Sequence, residues 1–195
     1  ERPVAAANGG AEIGRLPARE LAVRLAYFVW SSAPDDRLRE LGADGSLSRP
    51  EVFAAELRRL LADPRADRLA TEFAAQWLEL RALDVRTPDP HRFPGFDDDL
   101  RGAFAKESEL LFLAVMRGGA DVRELVDCDY THANARLAAF YGLPGTFDAE
   151  FRRVTLPIEL RERGGLLGHA AMHAITANPT RTSPVKRGKW ILENM

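Results

Sequence analysis

The stretch LPARELAVRLAYFVWSS, Leu16 to Ser32, decides how this chain is read. Leu21, Leu25, Phe28 and Val29 recur at helical spacing, so one face of a helix is apolar, and Pro17 suits its first turn. The same period continues outward. SAPDDRLRELGADG reads as a cap, a short helix and a glycine turn. SRPEVFAAELRRLLADP offers Ser48 as an N-cap, Pro50 in the first turn, and Val52, Leu57, Leu60 and Leu61 as a stripe. PRADRLATEFAAQWLELRAL sets Leu69, Phe73, Trp77 and Leu80 along one further helix. Four helices with short connections predict an antiparallel bundle.

Beyond the bundle, DVRTPDPHRFPGFDDD is a long proline-rich loop placed to wrap the helices or line a cleft. The helix DLRGAFAKESELLFLAVMRGG follows and ends at a glycine pair. DVRELVDCDYTHANARLAAFYGLPG gives a short helix, a cap at Asp129 or Thr131, and a helix closed by Gly142. Phe151 to Leu156 is the one plausible strand. RGGLLGHAAMHAITA reads as one helix entered through Gly164 and Gly165, and SPVKRGKWILENM starts the last. The expected fold is mainly α, a helical bundle followed by a small helical segment with at most one short strand.

Composition narrows the class. At 46% apolar and 29% charged residues, the chain has the make-up of a globular protein. A net charge of -2 argues against a nucleic-acid partner, which calls for a basic excess. Only three of the 27 basic residues are lysine; the rest are arginine, a skew that reads as the mark of a GC-rich genome more than of a binding surface, though arginine is also the better partner for carboxylates. Cys128 is the single cysteine, so no internal disulfide and no cysteine-rich zinc site can form. There is no apolar run long enough for a membrane span and no leader layout at the start. The Gly/Ala-rich opening, residues 1–18, reads as a linker. Both ends read as cut from a longer chain, since the last helical pattern reaches Met195 uncapped.

Three motifs carry candidate chemistry. In NPTRTSPVKRGKW, Asn178 to Trp190, Ser183 and Pro184 read as cap and first turn of a helix whose free N–H groups favour an anion. Thr180, Arg181, Thr182, Ser183, Lys186 and Arg187 then make a candidate seat for a phosphate, a carboxylate or a propionate. The competing reading is a plain helix cap with the arginines paired internally. In HAAMH, His169 and His173 stand one helical turn apart, a spacing that can hold zinc or offer an imidazole to haem iron. The glutamate of a zinc-protease helix is missing, because Ala170 follows His169. Gln76 with Trp77, and Tyr130 with Asn134 and Glu107, read as buried polar and aromatic packing. Asp97 to Asp99 precede a helix and suit its N-terminus. No nucleophile elbow is present, and aspartates on both sides of Cys128 would raise its thiol pKa.

The segments LAVRLAYFVWSSAPDDRL, FAAQWLELR, PDPHRFPGFDDDLRGAF, DYTHANARLAAFYGLPG and RGGLLGHAAMHAITANPTRTSPVKRGKWILENM carry a resemblance. They resemble large proteins of planctomycetes and myxobacteria, through the domain of unknown function numbered 1592 from about Arg19 to Pro144. The start of the domain numbered 1588 follows from about Phe151. On that basis residues 19–145 form a helical bundle domain and 146–195 the N-terminal part of a second, truncated one. The resemblance implies an exported, periplasmic or extracellular, multi-domain protein with c-type haem elsewhere. It implies no cofactor within this chain, and a Cys-x-x-Cys-His motif is expected beyond Met195. The partners it implies are neighbouring domains of the same polypeptide, which this chain would dock or orient. The alternative is a module or enzyme working on extracellular polysaccharide, with a cleft at Pro88 to Phe96 and Trp77 or Phe93 as a stacking platform.

Overall fold

A computed structural model describes Gly14 and residues 16–195, so the expected linker at 1–18 lies largely outside the described residues. The chain is mainly α and forms two compact units, one up to Ala66 and one from Asp67 to Met195.

The first unit holds α1 (Ala18–Trp30), α2 (Asp36–Ala43) and α3 (Pro50–Ala62). On α1 the buried face is Ala22, Leu25, Ala26, Val29 and Trp30, and Phe28 is exposed. The face is rotated from the expected one because α2 crosses closely at Gly42, where a Cβ would lie 3.0 Å from that of Ala22. Small side chains set this crossing, not the large ones. Asp35 caps α2 by accepting from the Leu38 N–H, and Ser31 ends α1 in the left-handed region at φ 50°. Ser48 does not cap α3. It lies in a short 3-10 turn (Ser46–Ser48), and Arg49 takes the capping position before Pro50. Trp30 anchors the unit: its Nε1 donates to the Leu60 carbonyl at 3.0 Å, and Arg65 covers its ring at 3.4 Å. Glu56 is buried but fully paired, by Arg37 and Arg59.

The single helix expected after Pro64 is broken. A 3-10 turn (Pro64–Asp67) leads to a π-helical stretch (Leu69–Ala74), then α4 (Ala75–Trp77) and another 3-10 run (Leu80–Val85). Glu79 sits in the left-handed region at φ 57°, which ends α4. Trp77 closes this run onto α8 (Pro184–Asn194) by donating from Nε1 to the Asn194 carbonyl at 2.7 Å.

The core forms around α5 (Asp98–Met116), capped by Asp97, whose carboxylate accepts from the Leu100 N–H. Packed on it are β1 (Tyr130–Ala133), α6 (Ala135–Tyr141) and α7 (Ala170–Ile175). β1 pairs antiparallel with β2 (Arg152–Thr155), Tyr130 opposite Thr155 and Ala133 opposite Arg152. The strand near 151–156 therefore exists, but it has a partner strand where a helix cap was expected. Asn134, not Thr131 or Asp129, caps α6, and Gly142 closes it at φ 70°.

The helix expected from Gly164 onward is also split, into a 3-10 turn (Leu166–Gly168) and α7. The cause is close packing. A Cβ on Gly164 would lie 1.9 Å from the Cys128 carbonyl oxygen, and one on Gly165 would lie 2.1 Å from that of Val126. Gly165 also has φ 75°, so only glycine serves there without strain. No helix among the described residues is long and apolar enough to cross a membrane.

Candidate functional site

The proline-rich loop between the 3-10 run and α5 does not wrap freely. Asp89 donates its N–H to the Pro179 carbonyl at 3.0 Å, and Arg92 donates to the Thr180 carbonyl. These bonds join the loop to the turn before α8, and a cleft of about 680 Å³ opens beneath them. That is the size range of a site for a small organic ligand. One wall is aromatic: Phe96 and Phe104 stand 5.9 Å apart between ring centroids, and Phe104 and Phe140 stand 5.0 Å apart. Ala170, His173 and Ala174 of α7 form the facing wall.

The charge of this cleft is one-sided. Arg86, Arg136, Arg163 and Arg181 line it, and no lining residue is acidic. Arg136 is engaged, donating to Asp97 at 2.7 Å and to the Gly95 carbonyl. Arg86 and Arg163 each hold a buried Nε with no hydrogen-bond partner, and neither makes an ion pair among the described residues. Half-buried guanidiniums without counter-charges are unusual, since a buried donor left unpaired costs about 1–3 kcal/mol. His173 lines the same wall, half-buried, and burial together with Arg187 and Arg163 holds its pKa below the usual imidazole range.

Behind the cleft lies a closed polar cluster. Glu107 occupies the apolar stripe of α5 and is 0% exposed. Thr131 donates to its Oε1 at 2.5 Å and Tyr141 to its Oε2 at 2.7 Å. The Tyr141 oxygen in turn accepts the Ala170 N–H at 2.8 Å, which fixes the start of α7. Burial raises the Glu107 pKa to about 8, against the opposing pull of these two hydroxyls. His169 Nε2 is 3.9 Å from Glu107, but the two do not form an ion pair. Burial lowers the His169 pKa to about 3, so a neutral acid faces a neutral imidazole. The other ring nitrogen of His169 lies 3.0 Å from the Ser108 hydroxyl.

The sequence-derived candidates divide. Arg181 and Thr182 line the cleft. Ser183 caps α8 by accepting from the Lys186 N–H; Lys186 itself donates to Asn178, and Arg187 to the Thr176 hydroxyl at 3.5 Å. Thr180 takes part through its carbonyl. That corner is thus a braced turn with two residues facing the cleft. His169 precedes α7 in extended conformation and faces the core, while His173 faces the cleft, so the two imidazoles do not converge. Among the described residues no group of three or more His, Cys, Asp or Glu is placed to hold a metal ion. Gln76 is exposed, and Trp77 stacks on Phe73 at 6.3 Å. Tyr130 is buried under the Arg153 guanidinium, at 3.6 Å, with Glu124 beside its hydroxyl; Glu107 serves Tyr141 instead. Cys128 is buried between the Tyr130 carbonyl and the Gly165 N–H, and its thiol pKa is raised chiefly by burial.

Tyr141, Arg163, Arg86 and Phe140 were not singled out in sequence. The readable signal was Glu107 itself, a carboxylate at the spacing of Leu100, Ala103, Phe104 and Leu111 on one helix face.

Residues 16–143 match the family model described as protein of unknown function DUF1592, PSD4. The chain belongs to the DUF1592 family. Residues 163–195 match a second model, protein of unknown function DUF1588, PSCyt3. No curated protein and no solved structure matches the chain. In this DUF1592 chain the cleft lies where the two matched segments meet: Arg86, Phe96, Phe104 and Phe140 come from the first, Arg163, His173 and Arg181 from the second. The Glu107 cluster joins them as well, through Tyr141 and Ala170.

Proposed function

We propose that this chain is a non-catalytic helical docking module of a larger, exported, haem-linked protein. Its cleft would receive an anionic, partly apolar group presented by a neighbouring domain, such as the propionate edge of a haem. The observation that carries this reading is the arginine-lined, aromatic cleft with no acidic residue in its lining. The short name of the second segment, PSCyt3, is in keeping with a cytochrome setting. On this reading residues 19–145 supply the bundle, and 146–195 open a second domain whose first helices complete the cleft.

The test is the visible spectrum and midpoint potential of the haem-bearing parent protein, made in a host that matures c-type haem. The expected result is a c-type spectrum whose potential shifts in Arg181→Ala and in Phe140→Ala. Absence of c-type bands, or a potential that neither variant moves, overturns the docking role. A second reading, a polysaccharide-binding module, draws on Phe93, which lines the cleft and is 47% exposed. Retention on insoluble polysaccharide, lost in Phe93→Ala, would favour it.

A further inference from the structure

We infer that the cleft is a binding site for a carboxylate carried on an apolar, flat body, with the acid group seated between Arg163 and His173 and the body laid on Phe96, Phe104 and Phe140. This rests on the reading of the cleft as the chain's binding site and names what the site selects.

The acid's position follows from where positive charge lacks an answer. Arg136 already has Asp97, and Arg181 stands exposed at the rim, where water serves it. Arg86 and Arg163 are the two left unpaired, and of these Arg163 stands by His173. Its guanidinium lies 5.0 Å over the Tyr141 ring, and its Nε is buried without a partner. Glu107, in the polar cluster behind the cleft, is 0% exposed and held protonated by burial, and it forms no ion pair with Arg163. His173 shares the wall, and a carboxylate bound beside it favours its protonated form. A ligand carboxylate here gains charge-assisted hydrogen bonds from a planar guanidinium, which pairs with such groups in bidentate fashion. A free inorganic ion would leave the aromatic wall and most of the 680 Å³ unused. An uncharged apolar ligand would leave Arg163 buried and unpaired. Only a ligand with both parts answers both walls.

The carboxylate can belong to a free small molecule or to a group carried by a neighbouring domain; calorimetry on the 195-residue chain tests for the carboxylate, and the haem potential of the parent protein separates the two sources. The probes are naphthoate and its uncharged amide, naphthamide. The expected result is binding of naphthoate, with naphthamide weaker by about tenfold or more, the equivalent of one lost charge-assisted pair. Arg163→Gln and Phe140→Ala should each weaken naphthoate by about tenfold, with circular dichroism confirming the native helix content. Equal binding of acid and amide by the unaltered chain overturns the inference, whether or not the variants fold. So does no measurable binding of naphthoate. If naphthoate binds as expected while neither Arg181→Ala nor Phe140→Ala moves the parent's haem potential, the site takes a free ligand and the docking role fails alone. If the potential moves but acid and amide bind alike, docking stands and the carboxylate assignment falls.

Discussion

Replacing Glu107 with glutamine isolates the electrostatics of the buried cluster. Glutamine keeps the shape and the neutral state but cannot ionise. The native acid holds its proton up to about pH 8, whereas in the unfolded chain it gives it up near 4.5. A carboxyl with a raised native pKa therefore weakens the fold as pH rises: its stabilising contribution is whole below the unfolded value and is lost progressively up to the folded one. Between pH 7 and 9 the unaltered chain should lose about 1.4 kcal/mol from this group, flattening once Glu107 is ionised. Glu107→Gln should show no such loss. The amide offers one acceptor where Thr131 and Tyr141 use two, so the variant carries its own fixed penalty of about 1–3 kcal/mol. That penalty is the same at both pH values, and other titrating groups are common to both proteins. The quantity to read is the change in the difference between them, from urea unfolding followed by circular dichroism at pH 7 and pH 9. It should move by about 1.4 kcal/mol in the variant's favour. A difference that stays constant across that range would refute the raised pKa and with it the neutral acid behind Arg163.

On the acid side the sign reverses. The pKa of His169 is lowered to about 3 and that of His132 to about 4, so the stability they contribute is present above about pH 6.5 and lost as pH falls toward 4. His132→Gln should make that acid loss shallower, measured by thermal unfolding from pH 7 to 4. Tyr141→Phe deletes the donor to Glu107 and the acceptor of the Ala170 N–H together, and should destabilise by about 1–3 kcal/mol in the same urea assay. Gly165→Ala meets both a positive φ and the Val126 carbonyl, and should lower stability by about 2 kcal/mol or more, seen as a depressed melting temperature.

Helix was legible wherever local period and local caps agreed. α2 with Asp35, α5 with Asp97 and α6 with Gly142 are all written within a few residues of sequence. What period could not give was decided by distant backbone. β1 is four residues of mixed polarity, and it becomes a strand because Arg152 to Thr155 arrives beside it. The break before α7 follows from glycines pressed on Val126 and Cys128, a contact across some 37 positions that no window of sequence displays. The cleft is the extreme case. Its loop was recognisable by its prolines, but the unanswered charge on Arg163 exists only once Tyr141, Glu107 and His173 are assembled around it. Twenty-four arginines in a sequence look alike until folding decides which are paired.

The glycine junction around Cys128 gives this chain a built-in clock. The sole thiol is sealed where the strand pair meets the turn before α7, its sulfur held by the Gly165 N–H. An alkylating reagent can reach it only when that junction parts. The rate of labelling under native conditions therefore reads the opening of the seam between the two family segments. A ligand that bridges Phe140 on one side of the cleft and His173 on the other should slow that rate, with no probe added to the protein.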